Sequence, residues 1–250
     1  MTWFARLAVL VLVLFAASAL PFPGQSLAAG PDDEKPKNLK VLPKDTSHRQ
    51  VVEIMRGYSL ALGVRCEECH YQSSPTEDPE FDSDKKPEKD TARKMMKMTT
   101  VINEQIGQMK LKDSIQVACA TCHHGLLHPQ ALGALVTQSI EKKGVDGAIA
   151  EYRQLRDQYY GTGAYNFAPI TLNDVAVQLA EGNKDFGSAL KILDLNLEFA
   201  PKDANTYVTM ARVQIAKGDR TGATASLHKA LELDPDNRFA KRLLQQGGGQ

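Results

Sequence analysis

The clearest hydrophobic periodicity after the first fifty residues is VVEIMRGYSLAL at Val51–Leu62, where Val51, Met55, Ser59 and Leu62 fall on one helical face. Gly63 follows at a C-cap position and ends that helix. A second helix is expected from about Asp90 to Met109, with Met95, Met98, Ile102, Ile106 and Met109 forming an apolar stripe. A third, GVDGAIAEYRQLRDQYY at Gly144–Tyr160, is amphipathic. Two self-similar blocks then end at Pro201 and Pro235, and this 34-residue period is that of a tetratricopeptide repeat. Small residues recur with the period: Ala189 with Leu193, then Ala223 with Leu227 and Ala230. Tyr207 takes the aromatic position of the second block. The first block carries two extra residues between its helices and Asn196 where alanine is usual. The expected fold class is all-α, with the flanking helix at 144–160 and the tail to Leu244 capping the repeats.

Polar and charged segments divide this pattern. At the N-terminus, Arg6 precedes an unbroken apolar run from Leu7 to Leu20, which Pro21, Pro23 and Gly24 interrupt. Ser26-Leu27-Ala28 offers the small residues a signal peptidase reads, so residues 1–28 are expected to be a secretory signal peptide. The run is shorter than the roughly 20 residues that span a bilayer. Residues 30–50 are a polar, proline-broken lead-in. Residues 71–90 are acidic, with seven carboxylates from Glu77 to Asp90. They lack the spaced Asp/Asn and Gly of an EF-hand loop, so a solvated loop is expected rather than a calcium site. The resulting organisation is a leader at 1–28, a module at 38–130 and a helical domain at 140–245. Formal charge is zero and mean hydropathy −0.32, so no basic field points to nucleic acid as a partner.

The chain's four cysteines change the picture. They lie in CEECH at Cys66–His70 and CATCHHG at Cys119–Gly125, one pattern used twice. Export alone would favour structural disulfides. Cys-x-x-Cys-His in an exported protein is instead the signature of c-type haem attachment. Its two thiols are spaced to add across the two vinyl groups at one porphyrin edge, and the adjacent histidine is carried under the iron. A thioredoxin-like dithiol needs no such histidine and comes with a βαβ pattern that is absent here. A Cys₄ zinc site would leave both histidines unexplained. The expected cofactors are two covalently bound haem c groups, on Cys66 and Cys69 with His70, and on Cys119 and Cys122 with His123.

The other axial ligand decides whether such an iron carries electrons or handles ligands. Met55 stands 11 residues before Cys66 on the helix that ends at Gly63. From Met55 to Gly63 that helix rises about 12 Å, which suits a helix lying flat over a porphyrin. Filling a core is the alternative role for Met55, and His48 is a competing ligand. For the second haem Met95, Met96, Met98 and Met109 all qualify, with His124 and His128 nearby. Periodicity does not choose among them.

NLKVLPKD (Asn38–Asp45), MRGYSLALGVRCEECH (Met55–His70), EFDSDKKPEKDTARKMMKMTTVIN (Glu80–Asn103) and CATCHHG resemble the cytochrome c subunit of photosynthetic reaction centres. The resemblance covers about Asn38–Pro129, with loop, helix and attachment motifs in the same order. It implies helix–turn–CxxCH units in which most haems take a methionine from the preceding helix. Met55 matches that methionine for the first haem. For the second, the family's methionine stands shortly before an Ile-Asn pair, here Ile102-Asn103, which implies Met98. Departures are two haem sites where the family usually has four, His124 in place of an arginine, and the appended repeats.

Together these features predict an exported dihaem c-type cytochrome that passes electrons between redox partners and transforms no substrate. Its repeats would dock a redox protein or a membrane electron-transfer complex, so membrane association would come through the partner. The expected location is the periplasm or extracytoplasmic membrane face of a bacterium. A dihaem peroxidase, a haem-based sensor and a scaffold are the competing readings.

Overall fold

A computed structural model describes residues 35–113 and 115–247; the expected leader lies outside the described residues. The described chain is all-α. In order, the helices are α1 (His48–Leu62), α2 (Cys66–Cys69), α3 (Pro87–Gln108), α4 (Cys119–His123), α5 (Leu132–Tyr159), α6 (Pro169–Gly182), α7 (Phe186–Phe199), α8 (Ala204–Lys217), α9 (Arg220–Leu233) and α10 (Arg238–Gly247).

Local chemistry explains where these helices start. α1 begins three residues earlier than its apolar stripe, because Ser47 and Gln50 form a reciprocal capping box. α3 opens on Pro87, whose missing N–H is harmless in the first turn, with Glu88 and Asp90 at the positive end of the helix dipole. α7, α8 and α9 repeat one device: Asp185, Asp203 and Asp219 accept from the backbone N–H three residues on.

α5 is two helices, not one. Gly144 sits at φ 74°, ψ 171°, outside any helical conformation. A straight helix would hold residues 139 and 151 about 18 Å apart, yet the Ser139 hydroxyl donates to Glu151 Oε2 at 2.6 Å. The chain therefore reverses at Gly144, and the two arms, 132–143 and 145–159, form a hairpin. The sequence reading had a single capping helix at 144–160 and nothing before it; the structure replaces this with a full hairpin. Leu132 and Val136 of the first arm are buried with Tyr152 of the second.

This hairpin, α6/α7 and α8/α9 stack in succession, and α10 closes the far end with Ala240 buried against α8 and α9. One apolar core runs through α5–α8 and a second through α8–α10. Asn196, the departure from the repeat pattern, is buried at the junction of three helices. Its amide donates to Pro169 O (2.8 Å), Asn173 Oδ1 (3.0 Å) and Thr206 Oγ1 (3.0 Å).

The N-terminal part is built differently. Before Leu132, Ala61 and Leu126 are the only buried apolar side chains among the described residues. α1 packs on α4 and α2 on α3.

Candidate functional site

The first attachment motif forms a single helical turn, α2, in which the His70 N–H donates to Cys66 O at 2.9 Å. Cys66 and Cys69 stand three residues apart on that turn, so both sulfurs face one side. His70 projects from its end. The Phe81 ring meets the imidazole edge-on, with centroids 5.1 Å apart. The His70 Nδ1 is buried beside the Phe81 backbone. Burial, followed by the charge of Lys89, holds the imidazole below its ordinary pKa.

The residues around His70 are pinned by Asp84. Its carboxylate accepts from Lys40 (2.5 Å), Asn38 (2.9 Å) and Arg93 (2.8 Å), with Lys89 at 3.5 Å. These hydrogen bonds, led by that of Lys40, hold the Asp84 carboxyl well below the usual carboxylate range. The segment at 38–40, the end of the acidic loop and the start of α3 are thereby tied together. Much of that loop is exposed as expected, and Asp84, though exposed, is its anchor to the 38–40 segment and α3. Glu80 N–H to Tyr71 O, at 2.7 Å, closes the loop upstream.

The second motif, α4, is likewise one turn. The His123 Nδ1 lies 2.8 Å from Leu126 O. A carbonyl only accepts, so Nδ1 carries the proton and Nε2 keeps its lone pair. The lead-in to this motif is clamped by Asn103, which donates from Nδ2 to Val117 O (2.9 Å) and accepts from Val117 N (2.7 Å). Past the motif, His124 and Gly125 both take left-handed conformations and turn the chain back to α1. There the Gly125 N–H donates to Ala61 O at 2.8 Å. A cleft of about 380 Å³ separates Cys122 and His124 from Ala164 in the α5–α6 loop.

Burial pushes the Cys69 and Cys119 thiols up. A redox dithiol requires the opposite shift, and none of the four cysteines is in a disulfide. Among the described residues no three His, Cys, Asp or Glu side chains converge as a metal-binding group.

The methionines differ in setting. Met55 is half-buried on α1, one turn before Tyr58, whose phenol is raised by burial and by nearby Cys119. Met98 is 51% exposed on α3, on an apolar strip with Met95 and Val101. Met96 is half-buried on another face, and Met109 is the exposed C-cap of α3.

A family model described as photosynthetic reaction centre cytochrome C subunit matches residues 33–172, just over half of the chain. The chain belongs to this family. The match begins before Asn38 and runs through α5 into α6, well beyond Pro129. No curated protein matches the chain. Membership identifies a c-type cytochrome domain whose family works in electron transfer with covalently bound haem c, alongside membrane electron-transfer complexes. Reaction-centre cytochrome subunits are extracytoplasmic. No helix among the described residues is long and apolar enough to cross a membrane.

Both CxxCH motifs stand on short helical turns, and Met55 and Met98 on the helices the sequence predicts. The sequence reading missed Phe81 against His70, the Asp84 cluster, and the Leu126 carbonyl on His123. Asn103 entered only as a landmark for Met98, not as a clamp.

Proposed function

We propose that the chain is an exported dihaem cytochrome that relays electrons, with a tetratricopeptide-like stack of helical hairpins as its docking module. Haem c supplies a one-electron carrier at each iron. Cys66 and Cys69 would hold the first group and Cys119 and Cys122 the second, with His70 and His123 as proximal and Met55 and Met98 as distal ligands.

The observation that carries this reading is the contrast between the two halves. The C-terminal hairpins have dense apolar cores of their own, while the 38–130 module buries almost none of its apolar side chains. Its helices are ordered nonetheless, paired as α1–α4 and α2–α3. These are the strongest packing pairs of the module, which leaves much of the apolar surface of the methionine helices uncovered, surface that a ring would cover. The donor set fits: paired thiols on one turn, a His123 whose tautomer frees Nε2, and a half-buried His70 beside Phe81. The exposed strip of Met95, Met98 and Val101 is apolar surface that a ring would cover. The 34-residue spacing of α7 and α9 supports the repeat assignment, and the first hairpin brings the number of helix pairs to three.

The test is the mass of the intact protein after export in a host that matures c-type cytochromes, with peptide mapping of the haem-bearing peptides. Two haem additions, one on each CxxCH peptide, are expected. A protein that matures without covalent haem refutes the reading.

A further inference from the structure

On the first side of the module, two cations that the electron-transfer reading leaves unused are packed toward His70. Lys89 and Arg93 stand one turn apart on α3, each with a side chain only 12% exposed. The Lys89 ammonium donates to Phe81 O (2.8 Å) and Ser83 O (2.7 Å), and Phe81 is the residue whose ring abuts His70. Lys40, Lys89 and Arg93 share the carboxylate of Asp84. The exposed carboxylate of Asp82 also acts on Lys89. Glu80 is occupied by Lys85. The two charges nearest His70 are therefore positive, poorly hydrated and fixed in place. Around Cys69 lie the charges of Glu68, Lys86 and Glu88.

We infer that Lys89 and Arg93 are positioning residues that raise the reduction potential of the iron held at His70 above the value its ligands alone would set. This rests on the haem reading proposed above. A positive charge beside an iron disfavours the ferric state, which carries one more charge than the ferrous state. Burial preserves the effect, because water and salt screen a covered charge weakly. The first iron thus becomes an electron sink relative to the same iron without these charges.

The experiment is a spectroelectrochemical titration of the full-length holoprotein, after covalent haem has been verified by mass. Lys89→Met is expected to lower one of the two midpoint potentials, changing the ratio of reduced to oxidised iron at fixed potential by about three- to tenfold. The other potential should stay in place. Lys89→Arg, which keeps the charge, should leave both near wild type, and Asp84→Asn should move the same wave upward. Arg93→Gln carries the same downward prediction and serves if Lys89→Met does not load haem. Unchanged potentials in the charge-removing variants, or equal shifts in both waves, overturn the inference. Protein without covalent haem overturns the underlying reading instead.

Discussion

Gly63 lies directly against the Gly125 carbonyl. A Cβ added at Gly63 would fall 2.1 Å from that oxygen, and Gly63 already holds φ 67° as the cap of α1. Gly125 answers by donating its N–H to Ala61 O. The exit of the first helix is thus fastened to the turn just after the second attachment motif, and Cys66 follows three residues later.

Alanine at these two positions should therefore behave differently. Gly63→Ala incurs the left-handed backbone penalty of about 1–2 kcal/mol and a backbone overlap that no rotamer relieves. Gly125→Ala incurs only the first, since nothing lies within 4 Å of its added Cβ. Denaturant unfolding of the holoprotein should show Gly63→Ala losing more than about 3 kcal/mol and Gly125→Ala about 1–2. Equal losses would mean that the close approach is not a feature of the native state.

Asn103 should govern the second attachment site alone. Its side chain satisfies both backbone groups of Val117, two residues before Cys119. Asn103→Ala leaves both groups to find new partners, which costs about 1–3 kcal/mol locally. Peptide mapping of matured protein should show reduced haem on the Cys119–His123 peptide and full haem on the Cys66–His70 peptide. Equal occupancy on both would make Asn103 an ordinary surface amide.

The two attachment turns, Met55's helix and the repeat period were legible because each rests on spacing within one short segment. The partners of those segments were not, since Phe81, Asp84 and Leu126 act through contacts that no local pattern encodes. The first arm of α5 was legible but unread: Leu132, Val136 and Ile140 recur at helical spacing, and Gly144 marks the reversal. Asn196 was read as a flaw in the repeat, because a buried amide looks like an error until its three acceptors are known.

Restoring the usual alanine at that position should accordingly weaken the protein. Asn196→Ala removes hydrogen bonds to Pro169, Asn173 and Thr206, all within a covered junction. Asn173 and Thr206 are themselves buried, so their polar atoms cannot turn to water. A loss of about 2–4 kcal/mol is expected by denaturant unfolding, with the haem spectrum unchanged. A neutral or stabilising outcome would contradict the polar junction.

Asp84 sets an acid limit on the first site. Its folded pKa lies below the unfolded value of about 3.9. The stability it contributes is therefore fully present above that value and is lost as pH falls from about 4 toward the folded pKa. Unfolding midpoints measured at pH 5 and at successive steps below pH 4 should fall more steeply for wild type than for Asp84→Asn. Parallel curves would show that the Lys40, Lys89 and Arg93 contacts do not persist in solution.

The distal ligands give the sharpest separation between electron carrier and ligand-binding haem. Ferric iron held by a methionine sulfur has a weak far-red charge-transfer band that is absent from open or bis-histidine sites. Met55→Ala should remove the part of that band due to the first haem, and Met98→Ala the rest, while Met95→Ala and Met109→Ala leave it intact. Each opened iron should then bind carbon monoxide when reduced, as the intact protein should not, because a closed sixth position excludes the ligand. Met98 is the stricter case, since Met95 shares its exposed strip on α3. Loss of the band in Met95→Ala instead of Met98→Ala would move the second ligand by one turn. Carbon monoxide binding by the unmodified protein would favour the sensor or peroxidase reading over electron transfer.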